Sequence, residues 1–405
     1  MMRALSQVVE RSGTPCFVYD FDQVRQRVAA LREAFGGRLK ISYAVKANPN
    51  PAILRRMRGL VVLLDISSAG ELRSAINCGW PADLLGFTGP GKREFELTAA
   101  VEARIGAIIV ESPREAGVIN ELAGRIGLRQ KVLIRIAPAK IPPGFGVSMA
   151  GRPCQFGIDE EDLDAALPRI KAMKNLDIEG FHCFAGTQSL KADAIAGAWE
   201  TYIALFRRFC NAHDITPTKL IFGSGLGIPY YEQDRPLDLS AVAQRVNPPL
   251  DALRAEQRFA RTDFVLETGR YLVGEAGVYL TRIISAKHSR GTEIRICDGG
   301  MNHHLGAAGH LGTPIHRNYR MFKLGAQSER PTQNYDLFGP LCTSIDMLAH
   351  GVALPAVDVG DVIGIHCSGA YGPTASPSHF ISHPPAREIL VETVSGETRI
   401  EDVSI

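Results

Sequence analysis

Between residues 39 and 269 short apolar runs recur, separated by stretches with helical periodicity, and this alternation constrains the chain more than any other feature. Eight runs are present: KISYAVK (40–46), VVLLDI (61–66), DLLGFT (83–88), GAIIV (106–110), KVLIRIA (131–137), IEGFHCFA (178–185), KLIFG (219–223) and DFVLE (263–267). Amphipathic segments such as ELRSAINCG (71–79), PREAGVINELAGRIG (113–127) and AIAGAWETYIALFRRFCNAH (194–213) lie between them. A strand–helix unit repeated eight times over roughly 230 residues has the arithmetic of an α/β fold of the (β/α)8 TIM-type barrel class; a doubly wound open sheet is the other arrangement compatible with it. After residue 276 the texture changes to runs without long helices between them: GVYLTRIISAKH (277–288), TEIRICDGG (292–300), GDVIGIHCSGAY (360–371) and REILVET (387–393). The 405 residues exceed what one core organises, so two domains are expected. The barrel is assigned to 22–275. A C-terminal, mostly β domain is assigned to 276–405, completed by 1–21, whose TPCFVYD (14–20) is a further apolar run.

Composition narrows the function classes. With 45% hydrophobic and 22% charged residues the chain is neither disordered, collagenous nor coiled coil. Lys and Arg number 45 against 43 Asp and Glu, without a long block of one sign, so no nucleic acid or membrane partner is expected. The eight cysteines form no C-x-x-C pair, the opening MMRALSQVVERSG has no apolar leader core, and no run of eighteen apolar residues occurs. A cytoplasmic protein with reduced thiols is the expectation.

Barrel chemistry gathers at the C-terminal ends of the strands. The first strand ends in Lys46, either an ordinary strand-end charge or, if buried, a Schiff-base former with a depressed pKa. The seventh ends in Gly223-Ser224-Gly225-Leu226-Gly227, a loop that is a tight turn or a phosphate cradle. It matches neither G-x-G-x-x-G, because Ile228 stands at the third glycine, nor a P-loop. The eighth ends in Glu267-Thr268-Gly269-Arg270-Tyr271: a local ion pair, or an arginine for phosphate and a carboxylate for a cation. Cys342 and Tyr371 stand beside glycines in GPLCTSID and GAYGPT, where packing roles suffice for both. His303-His304 and His379-x3-His383 lack Cys or acidic ligands at metal spacing, so no metal is expected.

Ten motifs in order, YAVKANPN, DISSAGE, FTGPGK, QFGID, GTQ, GSGLGIPYY, ETGRY, DGGMN, GPLCTSID and GAY, make nearly the whole chain resemble the pyridoxal-phosphate-dependent decarboxylases with an alanine-racemase-like barrel, which include diaminopimelate, ornithine and arginine decarboxylases. The resemblance implies pyridoxal 5'-phosphate as cofactor, Lys46 as the lysine carrying it, and Glu267 at its pyridine nitrogen. It places Gly223, Ser224, Gly225, Gly269, Arg270 and Tyr371 around the phosphate, and Asp65, Ser68 and Glu71 near the lysine. Arg135 lies on the side of the ring hydroxyl. It also implies a homodimer in which Cys342 and Asp346 reach a site from the second subunit, with Cys342 delivering a proton to Cα. A carboxylate at the ring nitrogen favours decarboxylation over racemisation.

The chain departs from that pattern at informative places. Phe184 stands where diaminopimelate decarboxylases carry a ring-stacking histidine, so stacking survives and hydrogen bonding does not. His182, two residues earlier on the same strand face and one layer deeper, reads as a core residue or as one that supports the site from behind. Gln155 replaces the lysine of KFGI, and Thr343 replaces the acid that meets a distal ammonium, which removes the counter-ion for a second amine. Gln155, Thr343 and Asp346 are thus the candidate substrate residues. These departures resemble the subgroup that includes the butirosin-pathway decarboxylase acting on glutamate carried by an acyl carrier protein. The resemblance implies removal of the α-carboxylate from an L-amino acid or an amino-acyl conjugate. Diaminopimelate decarboxylation, racemisation or epimerisation, and a non-catalytic cofactor-binding role are the alternatives.

Overall fold

The computed structural model describes residues 2–309, 317–325 and 332–405, in two compact units. One comprises Val28–Gly227 and Pro236–Gly269; the other comprises Met1–Arg27, Ile228–Arg235 and Arg270–Ile405.

The first unit is the barrel. Its strands are Lys40–Ala44, Leu63–Ile66, Leu85–Phe87, Ala107–Val110, Gln130–Ala137, Leu176–Cys183, Lys219–Gly223 and Asp263–Thr268. All pair in parallel with their sequence neighbours, and the eighth pairs with the first, Val265 opposite Lys40, which closes the sheet. Leu63, Ala107, Ile109, Leu133, Ile221 and Val265 form one buried apolar cluster from five of these strands. Each of the Leu, Ile and Val side chains stabilises by about 1.5–3 kcal/mol, and Leu133→Ala would cost about 2–5 kcal/mol through the cavity it leaves. The helices that return the chain start where side-chain caps dictate. Asn50, Ser68, Ser112 and Asp238 accept the amides of Ala52, Glu71, Glu115 and Ala241.

Two details differ from the sequence expectation. The first strand stops at Ala44, and Val45–Ala47 is a short 3-10 turn that carries Lys46, because Pro49 and Pro51 follow and cannot continue a ladder. The Gly-rich excursion after the fifth strand is partly ordered as a ribbon, Val147–Ser148 pairing antiparallel with Gly186–Thr187.

The second unit is a mostly β structure. Its sheet runs, by strand, Met347–Pro355, Thr332–Phe338, Thr292–Cys297, Gly277–Ser289, Cys16–Asp20, Arg387–Val394 and Glu397–Asp402, with Val362–Ile365 also on Gly277–Ser289. The N-terminal strand Cys16–Asp20 therefore sits inside the sheet, antiparallel to one neighbour and parallel to the other. Helix Met2–Ser12 presses Ala4, Leu5 and Val8 onto Cys16, Val18, Leu280 and Ile389. The run at 360–371 is a strand only over Val362–Ile365; Cys367 and Tyr371 take positive φ, +58° and +54°, which no strand residue adopts.

Candidate active site

Within the barrel unit three strand ends bring Lys46, Asp65 and Glu267 together. Lys46 Nζ lies 3.4 Å from Asp65 Oδ2 and 3.9 Å from Glu267 Oε1, and 5.8 Å over the ring of Phe184. Its side chain is 38% exposed, so it can be reached from outside, whereas both carboxylates are buried. Asp65 also accepts the hydroxyl of Thr88. Burial, and next the charge of Glu267, push the Asp65 carboxyl up to about 7 against the opposing pull of Lys46. Glu267 behaves oppositely. Burial would raise it, but His182, whose Nε2 lies 2.9 Å from Oε2, together with Lys46 and Arg135 holds it well below the usual carboxylate range. Desolvation keeps His182 neutral, so it is Nε2–H that donates to an ionised Glu267.

The surrounding residues are fixed by backbone needs. Ser68 caps helix Ala69–Asn77, while Glu71 accepts the amide of Ser67 at 2.6 Å and is raised by burial. Arg135 donates to Glu111 at 2.9 and 3.3 Å and to the carbonyl of Phe184 at 3.3 Å, with its guanidinium 4.5 Å from the Phe156 ring. A Cβ on Gly223 would run into the Phe184 ring, and one on Gly269 would stand 2.8 Å from Ala47 Cβ. Gly225 has φ +68°. These glycines let backbone and ring approach closely where a side chain would not fit. The amide of Ser224 is already donated to the carbonyl of Glu267, at 2.9 Å. Gln155 is exposed on the loop after the fifth strand.

The remaining candidates belong to the second unit. Arg270 Nη1 donates to the Tyr230 hydroxyl at 2.6 Å, and its guanidinium stands 4.6 Å from the Tyr371 ring. Cys342 is exposed and Thr343 half-buried. Asp346 is 1% exposed, and its two oxygens accept the amides of Met301 at 2.6 Å and Leu341 at 2.9 Å. It pins the loop that carries Cys342 rather than presenting a carboxylate to solvent.

Two residues escaped the sequence reading. Glu111 follows the fourth strand and collects Arg135 and the amides of Gly89 and Gly157; Thr88 follows the third; His182, which the sequence reading did single out, is a partner of Glu267. A census of every strand end would have raised Glu111 and Thr88.

Within the barrel unit, Glu267 Oε1 is buried without a hydrogen-bond partner among the described residues, a spare acceptor that suits the N–H⁺ of a pyridinium. Within the second unit, Arg270 Nε is likewise buried without one, a spare donor. Residues 21–274 match the model of the pyridoxal-dependent decarboxylase pyridoxal-binding domain. The chain belongs to the pyridoxal-dependent decarboxylases. It is 34% identical over 396 residues to an L-glutamyl-(BtrI acyl-carrier protein) decarboxylase of Niallia circulans, covering 97% of this chain and 92% of that protein. It is 32% identical over 394 residues to the diaminopimelate decarboxylase of Aquifex aeolicus, at 97% and 90% coverage. Among solved structures, diaminopimelate decarboxylase from Helicobacter pylori complexed with L-lysine superposes with TM-score 0.84 at 26% identity, over 98% of this chain and 95% of that one. This decarboxylase is thus a pyridoxal-phosphate-dependent carboxy-lyase on a TIM-type barrel with an added β domain. Among the described residues no helix is long and apolar enough to cross a membrane.

Proposed function

We propose that this decarboxylase removes the α-carboxylate of an amino-acyl conjugate, such as an L-glutamyl group carried on a protein, rather than that of a free diamino acid. The observation that carries the chemistry is the buried Glu267 carboxylate, one oxygen held by His182 and the other 3.9 Å from Lys46 Nζ. Pyridoxal phosphate supplies an electron sink for the pair left at Cα when CO2 departs. The protein's residues supply the rest. Lys46 holds the cofactor. Glu267 stabilises a proton at the ring nitrogen. Asp65, with its raised pKa, can take a proton from Lys46 when the amine must be neutral. Phe184 would cover the ring, and Arg135 would lie on its hydroxyl side. Gly223, Ser224 and Gly225 are assigned to the phosphate, and by the family resemblance so are Arg270 and Tyr371. Arg270 carries the fork geometry that suits an anion.

Substrate choice rests on Thr343, which brings no charge to meet a distal ammonium, and agrees with the name of the Niallia relative. We assign Cys342 the protonation of Cα, within a cytoplasmic homodimer. Its exposure on its own chain suits a residue serving a second copy, and all eight cysteines are unpaired thiols. CO2 release measured in competition among diaminopimelate, lysine, ornithine, arginine and glutamyl conjugates tests the substrate. A preference for the conjugate is expected, and a preference for diaminopimelate would overturn the reading in favour of lysine biosynthesis. Light scattering with a Cys342→Ala variant checks the dimer and the proton role. A monomer in solution, or unaltered product partitioning, would remove them.

A further inference from the structure

We propose that His182 is a positioning residue for the reaction: through its Nε2–H it fixes the Glu267 carboxylate so that Oε1 stays turned to the cofactor's ring nitrogen. This rests on the assignment of Glu267 to that nitrogen. The geometry lies wholly within the barrel. His182 is in the sixth strand, level with Ile221 of the seventh, which is itself level with Val265 of the eighth. Glu267 is two residues further along the eighth strand, on the same inward face. His182 is therefore one layer below Glu267, at the height of the apolar cluster formed by Leu133, Ile221 and Val265. It is fully buried, and Nε2 meets Oε2 at 2.9 Å.

Without that donor Glu267 would have two equivalent oxygens and freedom about its terminal torsion. With it, one oxygen is occupied and the other is left for a donor from above. The charged groups facing the imidazole are Glu267, Arg135 and Glu111. Burial and Arg135 disfavour a charged ring, against the pull of Glu267, so His182 remains a neutral donor and does not compete with the ring nitrogen as a cation. Its Nδ1 has no hydrogen-bond partner among the described residues, which leaves the contact to Glu267 as the polar purpose of a histidine at this depth.

The test compares His182→Ala, His182→Leu and His182→Gln, the last keeping an N–H donor of similar reach, in enzyme reconstituted with pyridoxal phosphate labelled with nitrogen-15 in the ring. The readouts are the ring-nitrogen chemical shift against pH, the cofactor dissociation constant by fluorescence, and kcat against KM. The Ala and Leu variants are expected to move the ring nitrogen toward its unprotonated shift at neutral pH and to lose about 10–100-fold in kcat with little change in KM, as outer partners of a functional group typically do. The Gln variant should recover most of both. Should Ala fail to fold, the Gln and Leu pair decides: equal behaviour of the two overturns the proposal and returns His182 to packing. Glu267→Gln is the control. If it leaves the ring-nitrogen shift unchanged, the assignment of Glu267 itself falls. If it shifts the signal while no His182 variant does, only the role of His182 falls.

Discussion

Lys46 and Lys92 each follow a barrel strand and each stands near a glutamate at the third position of a capped helix, yet they do opposite things. Glu71 accepts the amide of Ser67 and lies behind the Ser68 cap; Glu115 accepts the amide of Glu111 and lies behind the Ser112 cap. The local architecture is the same S-x-x-E device used twice. Lys92, 1% exposed in its side chain, spends its three protons on Glu115 at 2.6 Å and the carbonyls of Gly89 and Ile109 at 2.7 and 2.8 Å. Lys46 lies 3.4 and 3.9 Å from two carboxylates and is 38% exposed. A buried ammonium with three short acceptors is a structural bolt; an accessible one beside a carboxyl that can take its proton is a reagent.

Replacing both lysines would break that contrast if it is wrong. Lys46→Ala is expected to lose decarboxylation beyond detection and with it the borohydride-reducible cofactor adduct, while its denaturation midpoint moves less than that of Lys92→Ala. An adduct surviving at another lysine would overturn the assignment. Lys92→Ala removes one partner of a buried pair and strands Glu115, whose carboxyl burial already raises against the pull of Lys92. The expected cost is about 3–5 kcal/mol of stability, read by urea titration, with the cofactor still attached at Lys46.

The two lysines also show how far the sequence could be read. All eight barrel strands were legible, because a strand covered on both faces needs apolar residues throughout and reads as an unbroken run. Their ends were less so: the run through Val45 and Lys46 looks continuous, but the prolines beyond it turn the chain at Ala44. The strand near residue 365 was overextended because Cys367 and Tyr371 adopt left-handed backbone that their own side chains do not announce. In the site, residues at strand ends were legible one at a time, whereas partnerships were not. His182 and Glu267 are 85 positions apart and meet only through strand register, and nothing local in GFHCF marks the histidine as a donor. Likewise, only the fold shows that each oxygen of Asp346 accepts a backbone amide.

Acidity sharpens the comparison at the carboxylates. Asp65 has its folded pKa raised from 3.8 to about 7, so the native state binds its proton more tightly than the unfolded chain. Its contribution is fully present below pH 3.8 and is lost as pH rises through about 7. Glu267, held low, works the other way: it contributes above 4.5, and that contribution is lost as pH falls toward its depressed folded value. Asp65→Asn in cofactor-free protein removes only the first of these. Its urea midpoint relative to the parent should rise steadily between pH 4 and 7, and a difference independent of pH would show that Asp65 is ionised throughout.

The smallest expected effect tests whether the shared S-x-x-E device is as equivalent as it looks. Ser68→Ala and Ser112→Ala each strip one cap acceptor from a helix N-terminus, Glu71 N losing its partner in one case and Glu115 N in the other, for about 1 kcal/mol apiece. If both helices are only scaffolding, the two variants should match in stability and in cofactor affinity. The charge of Lys46 acts on Glu71, so loosening the Ser68 turn should also weaken cofactor binding, whereas loosening the Ser112 turn reaches only the saturated Lys92 and should leave affinity unchanged. Fluorescence titration of cofactor into each variant reads the difference. Equal affinities would mean that the second-strand turn contributes to the site nothing that its counterpart on the fourth strand does not.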